Sequence, residues 1–577
     1  MSPQPQLLSV VPQQTPAVGV RVADQIVRAL RDAGVTTIFG VPGGAISAVY
    51  DALLDVPDIK VVNSRHEASA VFSAAAYARA TGGLGVVLVT SGPGVTNTIT
   101  GVASCFCDGL PVLVLGGEVP RKNHGRGALQ EGSPYHLNLV AMLKHVTKWS
   151  SEITSADAAV PAVRKAIATA RSGRRGPVFL SLPLDVQGAT TSQPKMSLSV
   201  ESRFEVDRST LNAAVQALLT AERPLILAGS GARWDEGPRG LLDVAERYQV
   251  PVATTPKGKG VFPESHPLSL GVFGLAGHPS ATEYLHKGVD VLLAVGTSFG
   301  DLATNSWSGD LKPSGTFIQI DIDSAQIGRN YAADLGLVGS AGVLLRRIAE
   351  IAPAARPVRN CGGRTLHTDP RELVAADSPI KPQRALWELQ QIMPRSTVYV
   401  SDIGDHTLWA VHYLTLDQPD GFYMSSGLAA MGSSLGSALG AKLADPNRPV
   451  VAICGDGSIG MAGMDIADAV QNELNIVYLV LNDGCYGMVE NGHRSIYGRT
   501  PQFPVGGSVT EFARGIGARA VEVRRPDEIL QLGTGELLRE RRPIVLDVHF
   551  DVSERMPKMA RLDALRAAAQ FIVEQPR

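Results

Sequence analysis

Short apolar runs bounded by glycine and proline alternate with amphipathic stretches from residue 19 onward. Such runs are typical of strands buried in a parallel sheet, and the stretches between them are typical of covering helices. The predicted strands are TTIFGVPGG, KVVNSRHE, GVVLVTSGPG, PVLVLGG and PVFLSLPLD, then PLILAGSG, VPVATTP, VDVLLAVGTS and TFIQIDID, then STVYVSDIGD, RPVVAICGDGS, NIVYLVLNDG and RPIVLDVHF. The pattern predicts an α/β protein with three doubly wound parallel-sheet domains.

Changes in composition suggest where the domains begin and end. Residues 1–18 are rich in proline and glutamine and poor in charge, which predicts a flexible tail. The first domain is expected at 19–187, the second at 203–352 and the third at 381–577, with a helical tail at its end. Residues 353–380 mix proline, glycine and scattered charge, which indicates a linker. The two outer blocks are alike in layout, so any duplication concerns whole domains.

Composition narrows the classes of function. The 577 residues include 53 Lys and Arg against 55 Asp and Glu, a net charge of −2, so the chain lacks the basic excess of a nucleic-acid-binding protein. No apolar run reaches the length of a membrane span, and no secretory signal is evident at the N-terminus. The five cysteines are an odd number without regular spacing, as expected in a reducing compartment. We therefore expect a cytoplasmic protein that binds neither nucleic acid nor membrane.

A glycine-rich segment follows one of the third-block strands. The apolar run Val450–Cys454 leads into Gly455-Asp456-Gly457-Ser458-Ile459-Gly460, and a helical pattern comes next. This G-x-G-x-x-G spacing allows a backbone to approach a pyrophosphate at a helix N-terminus. Dinucleotide binding is the first interpretation, with Asp483 at the end of the next strand as a partner for ribose. A plain glycine-rich turn with a surface aspartate is the alternative without chemistry.

Asp456 favours a metal-bound diphosphate instead. A carboxylate beside a pyrophosphate is repelled by it in a partly desolvated site. A divalent cation such as Mg²⁺ or Ca²⁺ removes the conflict, because Asp456 and the diphosphate then become ligands of the same ion. Asp483, across one helix and one strand, can supply a second ligand oxygen.

The spacing from GDGSIG to LVLNDGCYGM resembles the diphosphate motif of thiamine diphosphate enzymes, with Asp483 where that family more often has asparagine. Further segments are most similar to acetolactate synthase: RHEASAVFSAAAYARATG, VLVTSGPGVTNTITGVA, GGEVPRKNHGRGALQE, FGLAGHPS, IDIDSAQIGRN, SDIGDHTLWA and SSGLAAMGSSLGSALGA. The resemblance covers nearly the whole chain after residue 18. It implies a pyrimidine-binding first domain, a central Rossmann-like domain and a diphosphate-binding third domain.

The resemblance also implies roles for single residues. Glu67 matches the glutamate that hydrogen-bonds the cofactor's aminopyrimidine and so promotes proton loss from the thiazolium ring. Met431 matches the apolar residue that holds the cofactor bent. Gln130 and the turn Gly43–Gly44 match groups beside the reacting centre. Without the family match, the sequence would indicate a solvated glutamate at a helix start for Glu67 and an ordinary core residue for Met431.

The remaining implied contacts surround the diphosphate and the metal. Mg²⁺ is expected on Asp456, Asp483 and the backbone carbonyl of Cys485. Asp405 stands where the family usually has glutamine, and the resemblance offers no explanation for this extra carboxylate. The other implied cofactor contacts are Pro93, Asn97, Gly404, His406, Gly455, Gly457, Ser458, Tyr486, Gly487 and Met488.

The implied reaction is decarboxylation of a 2-oxo acid, with pyruvate as the expected donor, and transfer of the acyl group to a second carbonyl. Four family residues around the acceptor are replaced. Leu184 stands for lysine, Gly492 for tryptophan, Ser298 for arginine and Leu129 for phenylalanine. We therefore expect an acceptor that is bulkier than pyruvate or lacks its carboxylate. His493 and Arg494 can supply a substitute cation, which leaves plain acetolactate formation open.

Assembly and further ligands follow from the same resemblance. Glu67 and Met431 of one active site are expected on different subunits, so a homodimer is the minimum unit and a homotetramer a natural extension. FAD, an ADP-like ligand or no ligand are the alternatives for the central domain, because the family's R-F-D-D-R corresponds here to residues 298–302, SFGDL. A regulatory small subunit is left open. A 2-oxo acid decarboxylase or lyase, a nucleotide-dependent oxidoreductase and a non-catalytic scaffold are the competing readings.

Overall fold

The computed structural model describes residues 19–191, 207–351 and 358–554 of the chain. The predicted tail at 1–18 and the predicted helical tail at the other end of the chain lie outside these ranges, as does the start of the predicted linker. The rest of that linker is described, and it contains a short helix and residues such as Leu366 that pack against the third domain's core.

The first domain is a parallel sheet covered by helices. Its strands are β1 (Val20–Arg21), β2 (Thr37–Val41), β3 (Lys60–Asn63), β4 (Gly85–Val89), β5 (Val112–Glu118), β6 (Trp149–Glu152), β7 (Val178–Pro183) and β8 (Thr190–Thr191). Its helices are α1 (Val22–Asp32), α2 (Ser47–Leu53), α3 (Glu67–Thr81), α4 (Pro93–Thr96), α5 (Ile99–Asp108), α6 (Leu139–Leu143), α7 (Ala156–Arg171) and α8 (Leu184–Gly188). Six strands form the sheet in the order β3-β2-β4-β5-β7-β6, and β1 pairs antiparallel with β8. The inner strands are buried on both faces, as their continuous apolar runs predict.

The central domain is a second parallel sheet, with strand order β11-β10-β9-β12-β13-β14. Its strands are β9 (Pro224–Ala228), β10 (Val252–Thr254), β11 (Ser269–Val272), β12 (Val291–Val295), β13 (Thr316–Asp321) and β14 (Leu335–Val338). Its helices are α9 (Arg208–Thr220), α10 (Gly237–Tyr248), α11 (Pro279–His286), α12 (Asp301–Thr304) and α13 (Ala341–Glu350). Counted within the domain, the order is 3-2-1-4-5-6, which is the dinucleotide-binding arrangement.

The third domain follows α14 (Pro370–Leu373). Its strands are β15 (Val398–Ser401), β16 (Phe422–Met424), β17 (Val450–Gly455), β18 (Ile476–Asn482), β19 (Arg519–Val523) and β20 (Ile544–His549). Its helices are α15 (Pro382–Ile392), α16 (Asp405–Tyr413), α17 (Ser433–Ala444), α18 (Asp456–Ala462), α19 (Asp465–Gln471), α20 (Gly487–Tyr497), α21 (Val509–Gly515) and α22 (Glu528–Leu538). All sheet pairs are parallel, in the order β16-β15-β17-β18-β20-β19.

The first and third sheets have the same topology. Counting only the sheet strands of each domain, both run 2-1-3-4-6-5. The expectation that the outer blocks share a layout is therefore confirmed, and so is the prediction of three parallel-sheet domains. In each sheet the strand order reverses next to its first strand, and ligands of open α/β sheets bind at that point.

Helices α3 and α17 join the first domain to the third. A Cβ atom at Gly436 would lie 2.8 Å from the backbone oxygen of Ser69, and one at Gly440 would overlap that of Ser73. The hydroxyl of Ser73 donates to the backbone oxygen of Gly436 over 2.8 Å. Apolar residues of both helices belong to one continuous core. Two glycines thus let the backbones of the two domains touch.

A buried network anchors α16 to the central domain. The ammonium of Lys259, which is fully buried, donates to both carboxylate oxygens of Glu264 at 2.6 and 2.8 Å and to the backbone oxygen of Leu414 at 2.7 Å. The ring of His412 stacks on that of His278 with centroids 4.8 Å apart. These contacts hold the end of α16 opposite the one that faces the site described below.

The contact between α3 and α17 predicts a specific stability defect. Gly440→Ala should lower the free energy of unfolding by about 1–3 kcal/mol, because the added methyl overpacks the interface of the two helices. Gly535→Ala in α22 is the matched control, since its Cβ atom would meet open space. The control should be neutral or stabilising by up to ~1 kcal/mol. Denaturant unfolding followed by circular dichroism measures both, and equal effects would contradict the interpretation.

Candidate active site

Residues of the predicted diphosphate motif lie at the carboxyl ends of β15 and β17, which pair in parallel beside the strand-order reversal. The sequence predicted a loop between strand and helix. The structure instead extends β17 to Gly455 and begins α18 at Asp456, so the chain changes from strand to helix without an intervening loop. The backbone of these residues is therefore rigidly held by both elements.

His406 lies between the segment that follows β15 and the end of β17. A Cβ atom at Gly404 would come within 2.5 Å of its ring carbon Cε1, and one at Gly455 within 3.4 Å of Nδ1. Burial lowers the pKa of His406 to about 4, so the imidazole is neutral near pH 7. Gly404 and Gly455 thus make room for a neutral ring that reaches both predicted diphosphate segments.

Met431 and Tyr486 meet at the next glycine. A Cβ atom at Gly457 would lie 2.8 Å from Tyr486 Cε1 and 3.4 Å from Met431 Cε. Two side chains implied by the resemblance are therefore brought together with the glycine motif. Gly487 and Met488, the first residues of α20, follow directly in the chain.

Asp402 holds the turn at Gly432, directly after Met431, in place. The sequence analysis did not single out this residue. Its fully buried carboxylate accepts hydrogen bonds from the backbone N–H of Ile403 at 2.7 Å and of Gly432 at 2.9 Å, and from the hydroxyl of Ser434 at 3.0 Å. Burial raises the pKa of Asp402 to about 6. The residue ties the segment before His406 to the turn that follows Met431. An aspartate directly after a strand was the only signal in the sequence.

The expected metal ligands lie on neighbouring strand ends. Burial raises the pKa of Asp456 to about 6, and burial together with the nearby Asp456 raises that of Asp483 to about 7. Asp483 Oδ1 accepts from the backbone N–H of Cys485 at 3.3 Å. Asp405 and Asp483 both approach Gly487, and Asp405 accepts from the amide of Asn491 at 2.8 Å. Several carboxylates therefore crowd one end of the sheet.

Three buried polar atoms of this site have no hydrogen-bond partner within the described residues: His406 Nε2, Asp456 Oδ2 and Ser458 Oγ. Leaving such atoms unpaired costs free energy, and a ligand that bonded all three would remove that cost. Phosphate oxygens match the imidazole and hydroxyl, and a hard cation matches the carboxylate. The residues present therefore fit Mg²⁺ and a diphosphate. No cluster of three or more metal-binding side chains occurs in the described part of the chain, and the expected set needs only two, plus a backbone carbonyl.

Glu67 lies in the first domain as the first residue of α3, after the helix cap of His66. Its side chain is buried, and Oε2 accepts from the amide of Asn97 at 2.9 Å. Asn97 follows α4, which begins at Pro93. The turn at Gly43 lies close to the β4 end, since a Cβ atom there would be 2.5 Å from Thr90. Gly44 follows in the same turn.

Gln130 occupies a strained position beside this group. Its φ angle is +61°, and it packs against Gly92, whose Cβ atom would lie 2.9 Å from that of Gln130. Two buried carboxylates hold the loop: Glu118 accepts from the backbone N–H of Gly132 at 3.0 Å, and Glu131 from that of Gly125 at 2.5 Å. Both glutamates were missed, because their partners are backbone groups that no motif reveals.

Within one chain, Glu67, Asn97 and Gln130 form one group and the diphosphate-motif residues of the third domain form another. Within the described ranges, Glu67, Asn97 and Gln130 make no hydrogen bond to any third-domain residue. The residues expected around the acceptor are also dispersed. Leu129 is 88% exposed, Leu184 begins α8, and Gly492, His493 and Arg494 lie in the middle of α20. Ser298 lines a cavity of the central domain instead.

That cavity, of about 720 Å³, lies at the carboxyl ends of the central strands and is lined as well by first-domain residues 107–110 and 171–175 and by third-domain Tyr423 and Met424. Glycines after β9 and β12 form part of its wall, together with Asp321 at the end of β13. Burial raises the pKa of Asp321 to about 6. The guanidinium of Arg175 stacks on Trp234 at 3.9 Å. Further cationic side chains in the wall are Arg79, Arg174, Arg233, Lys257 and Arg347.

Comparison with known proteins identifies all three domains. Residues 20–137 match the thiamine pyrophosphate enzyme N-terminal TPP binding domain, 211–348 the thiamine pyrophosphate enzyme central domain, and 402–548 the thiamine pyrophosphate enzyme C-terminal TPP binding domain. The described residues contain no helix with the length and apolar character to span a membrane.

Full-length relatives agree with the domain matches. A probable acetolactate synthase large subunit of Methanocaldococcus jannaschii is 33% identical over 96% of this chain and 96% of its own length. Acetolactate synthase isozyme 3 large subunit of Escherichia coli is 34% identical over 93% of this chain and 96% of its own length. The acetolactate synthase large subunit of Parasynechococcus marenigrum is 35% identical over 91% and 87%. The chain therefore belongs to the thiamine pyrophosphate enzymes, in the branch that contains the acetolactate synthase large subunits.

Proposed function

We propose that this enzyme decarboxylates pyruvate or another small 2-oxo acid and transfers the acyl group to a second carbonyl compound. The observation that carries this proposal is the set of three unpartnered buried atoms, His406 Nε2, Asp456 Oδ2 and Ser458 Oγ, at the strand-order reversal of the third sheet. Thiamine diphosphate supplies the electron sink for the decarboxylation when it is bound. The protein supplies orientation, charge and proton transfer.

Asp456, Asp483 and the carbonyl of Cys485 would hold Mg²⁺ on the diphosphate. A bound cation would favour the charged forms of both carboxylates, whose pKa burial raises to about 6 for Asp456 and about 7 for Asp483, and this would link metal binding to cofactor binding. His406 and Ser458 would contact phosphate oxygens. Met431, whose neighbour Gly432 is held by Asp402, would pack against the cofactor.

Glu67 would hold a proton at its carboxylate toward the cofactor's pyrimidine. Asn97 donates to one oxygen of this carboxylate and leaves the other free to face the ligand. Gln130 and the Gly43–Gly44 turn would contact the substrate from the same domain. Burial of Glu67 excludes water from the proton that it shares.

A second copy of the chain would complete the site. Glu67 and the diphosphate residues lie in separate groups of one chain, as a site shared between subunits requires. A homodimer is then the smallest active unit, and a homotetramer is a dimer of such dimers. The relatives are named large subunits, which supports a smaller partner chain as well.

The acceptor is proposed to lack a carboxylate or to be bulkier than pyruvate. Leu184 supplies no charge, and the nearby Arg121 is engaged, since its backbone N–H donates to Asp185 at 3.1 Å and its guanidinium lies 3.7 Å from the same carboxylate. The guanidinium of Arg494, one of the two possible substitute cations, lies 3.9 Å from the carboxylate of Glu490. The lost carboxylate partner is worth about 1.5–3 kcal/mol, enough to change the preferred acceptor.

The central cavity is proposed to bind an adenine nucleotide, with FAD and an ADP-like compound as the two candidates. Its cations suit a diphosphate, and Asp321 at the end of β13 suits a ribose hydroxyl. The strand order 3-2-1-4-5-6 supports the same class of ligand. The stretch that corresponds to R-F-D-D-R places its Phe299 in the core against Phe317 and Tyr331.

A cytoplasmic location is part of this proposal. All five cysteines fall within the described residues, and all are free thiols. Free thiols persist in reducing compartments. Pyruvate and related 2-oxo acids would be met in the same compartment as the enzyme.

Removal of the metal should remove the cofactor. Dialysis against EDTA should release thiamine diphosphate and abolish activity together, and Mg²⁺ should restore both. Asp456→Asn should weaken Mg²⁺ binding at least ~10-fold, as even outer-shell changes do. Asp243→Asn in α10 is the matched control and should bind like wild type. Metal-free protein with full activity would overturn the site assignment.

A panel of donors and acceptors tests the reaction. With pyruvate as donor, product detection by mass spectrometry should show a higher kcat/KM for an aldehyde or larger ketone than for pyruvate as acceptor. Leu184→Lys should shift this ratio toward carboxylate-bearing acceptors by ~10-fold, and Leu184→Met, which keeps the volume, should not. Acetolactate as the main wild-type product, with an efficiency that no other acceptor matches, would refute the proposed acceptor. Activity that survives thiamine diphosphate removal would instead indicate a nucleotide-dependent oxidoreductase.

The cavity ligand can be identified directly. Heat denaturation of the purified enzyme should release an adenine nucleotide detectable by mass spectrometry. The visible flavin absorbance band identifies it as FAD, and its absence beside a released adenine compound identifies the ADP-like alternative. A protein that releases no nucleotide, and binds neither FAD nor ADP in calorimetric titration, would contradict a nucleotide site.

A further inference from the structure

Helix α19 of the third domain makes hydrogen bonds and an ion pair with the chain just before Glu67. The backbone N–H of Arg65 donates to Asp468 Oδ2 at 3.2 Å, and the Arg65 Nε lies 3.0 Å from Asp468 Oδ1. Gln471, one turn further along α19, accepts from the Arg65 guanidinium at 2.9 Å. The Asp468 side chain is only 1% exposed, whereas the Arg65 side chain is 46% exposed, so a buried carboxylate is paired with a partly solvated guanidinium.

The same helix contacts the chain just after Glu67. The carboxylate of Asp465, which is 2% exposed, lies beside Ser69, whose hydroxyl lowers the pKa of Asp465 against the larger effect of burial. Asp465 Oδ2 lies 3.4 Å from the position of a Cβ atom on Gly436, at the junction of α3, α17 and α19. The two aspartates thus reach residues two positions before and two positions after Glu67.

Burying a carboxylate at a contact between two helices costs desolvation free energy. Burial raises the pKa of Asp465 to about 7 and that of Asp468 to about 6, which shows that the site disfavours their charged forms. A neutral residue of similar size would pack the same junction at lower cost. Buried charged groups kept in spite of such a cost are concentrated at functional sites.

We propose that Asp468 and Asp465 are positioning residues for Glu67. Asp468 holds the backbone N–H of Arg65 from the third domain and Asp465 lies beside Ser69, while Asn97 holds the Glu67 carboxylate from the first domain. Proton transfer depends on hydrogen-bond geometry, and a displacement of about 1 Å can cost ~10²-fold in rate. The inference rests on the proposed role of Glu67 toward the thiamine cofactor.

The test measures hydrogen–deuterium exchange at C2 of bound thiamine diphosphate, by acid quench and NMR, in holoenzyme variants. Asp468→Asn and Asp465→Asn should slow exchange ~10-fold or more, whereas the affinity for Mg²⁺ and thiamine diphosphate should stay within about threefold of wild type. Gln471→Ala is the matched control. It removes the exposed contact to Arg65 but leaves Asp468, and its exchange should stay within about threefold.

Glu67→Gln separates failure of this inference from failure of the proposed function. It should slow exchange by ~10² or more. If it does, and the aspartate variants exchange like wild type, the positioning role is overturned. If Glu67→Gln itself exchanges like wild type, the proposed role of Glu67 falls, and the inference with it. Where an aspartate variant does not fold, Ser69→Ala removes the hydroxyl beside Asp465 without changing charge, and wild-type exchange in that variant also overturns the inference.

Discussion

The close crossing of α3 and α17 is the constraint on which the rest of the structure depends. Gly436 and Gly440 bring the third domain's helix into backbone contact with the first domain's. Each helix starts at a functional element: α3 begins with Glu67, and α17 begins two residues after Met431. A single packing contact therefore sets where both elements lie within one chain. Side chains at the two glycines would move the elements apart.

Buried polar groups around this crossing are arranged for function at a cost in stability. Asp402, Asp456, Asp465 and Asp483 are carboxylates whose pKa burial raises to between about 6 and 7. Asp402 is satisfied by backbone donors, whereas Asp456 keeps an unpartnered oxygen. Asp456 thus has an oxygen available to a ligand, whereas both oxygens of Asp402 serve to hold the neighbouring backbone.

Interior strands and motif residues were predictable from the sequence, and edge strands and long-range contacts were not. The inner strands are continuous apolar runs, because both of their faces are buried. The missed strands are β1 and β8, which form the small two-stranded sheet, and β6, β11, β14, β16 and β19, which lie at sheet edges; of the edge strands only β3 was predicted. β6 and β19, for example, are short and largely only half-buried. Glu67 and Asp456 sit in recognisable motifs. Asp468 acts on a residue 403 positions away, and only the folded chain brings the two together.

The shared topology of the outer sheets places the two groups of candidate site residues at equivalent positions of their domains. Both sheets run 2-1-3-4-6-5, so each presents loops at an equivalent strand-order reversal. One reversal holds Gly43 and Pro93 near Glu67, and the other holds His406 and Asp456. A cofactor with an aromatic ring at one end and a diphosphate at the other needs both kinds of loop. The α3–α17 crossing fixes the two domains of one chain against each other, and the proposed homodimer would bring the first-domain group of one chain to the third-domain group of the other.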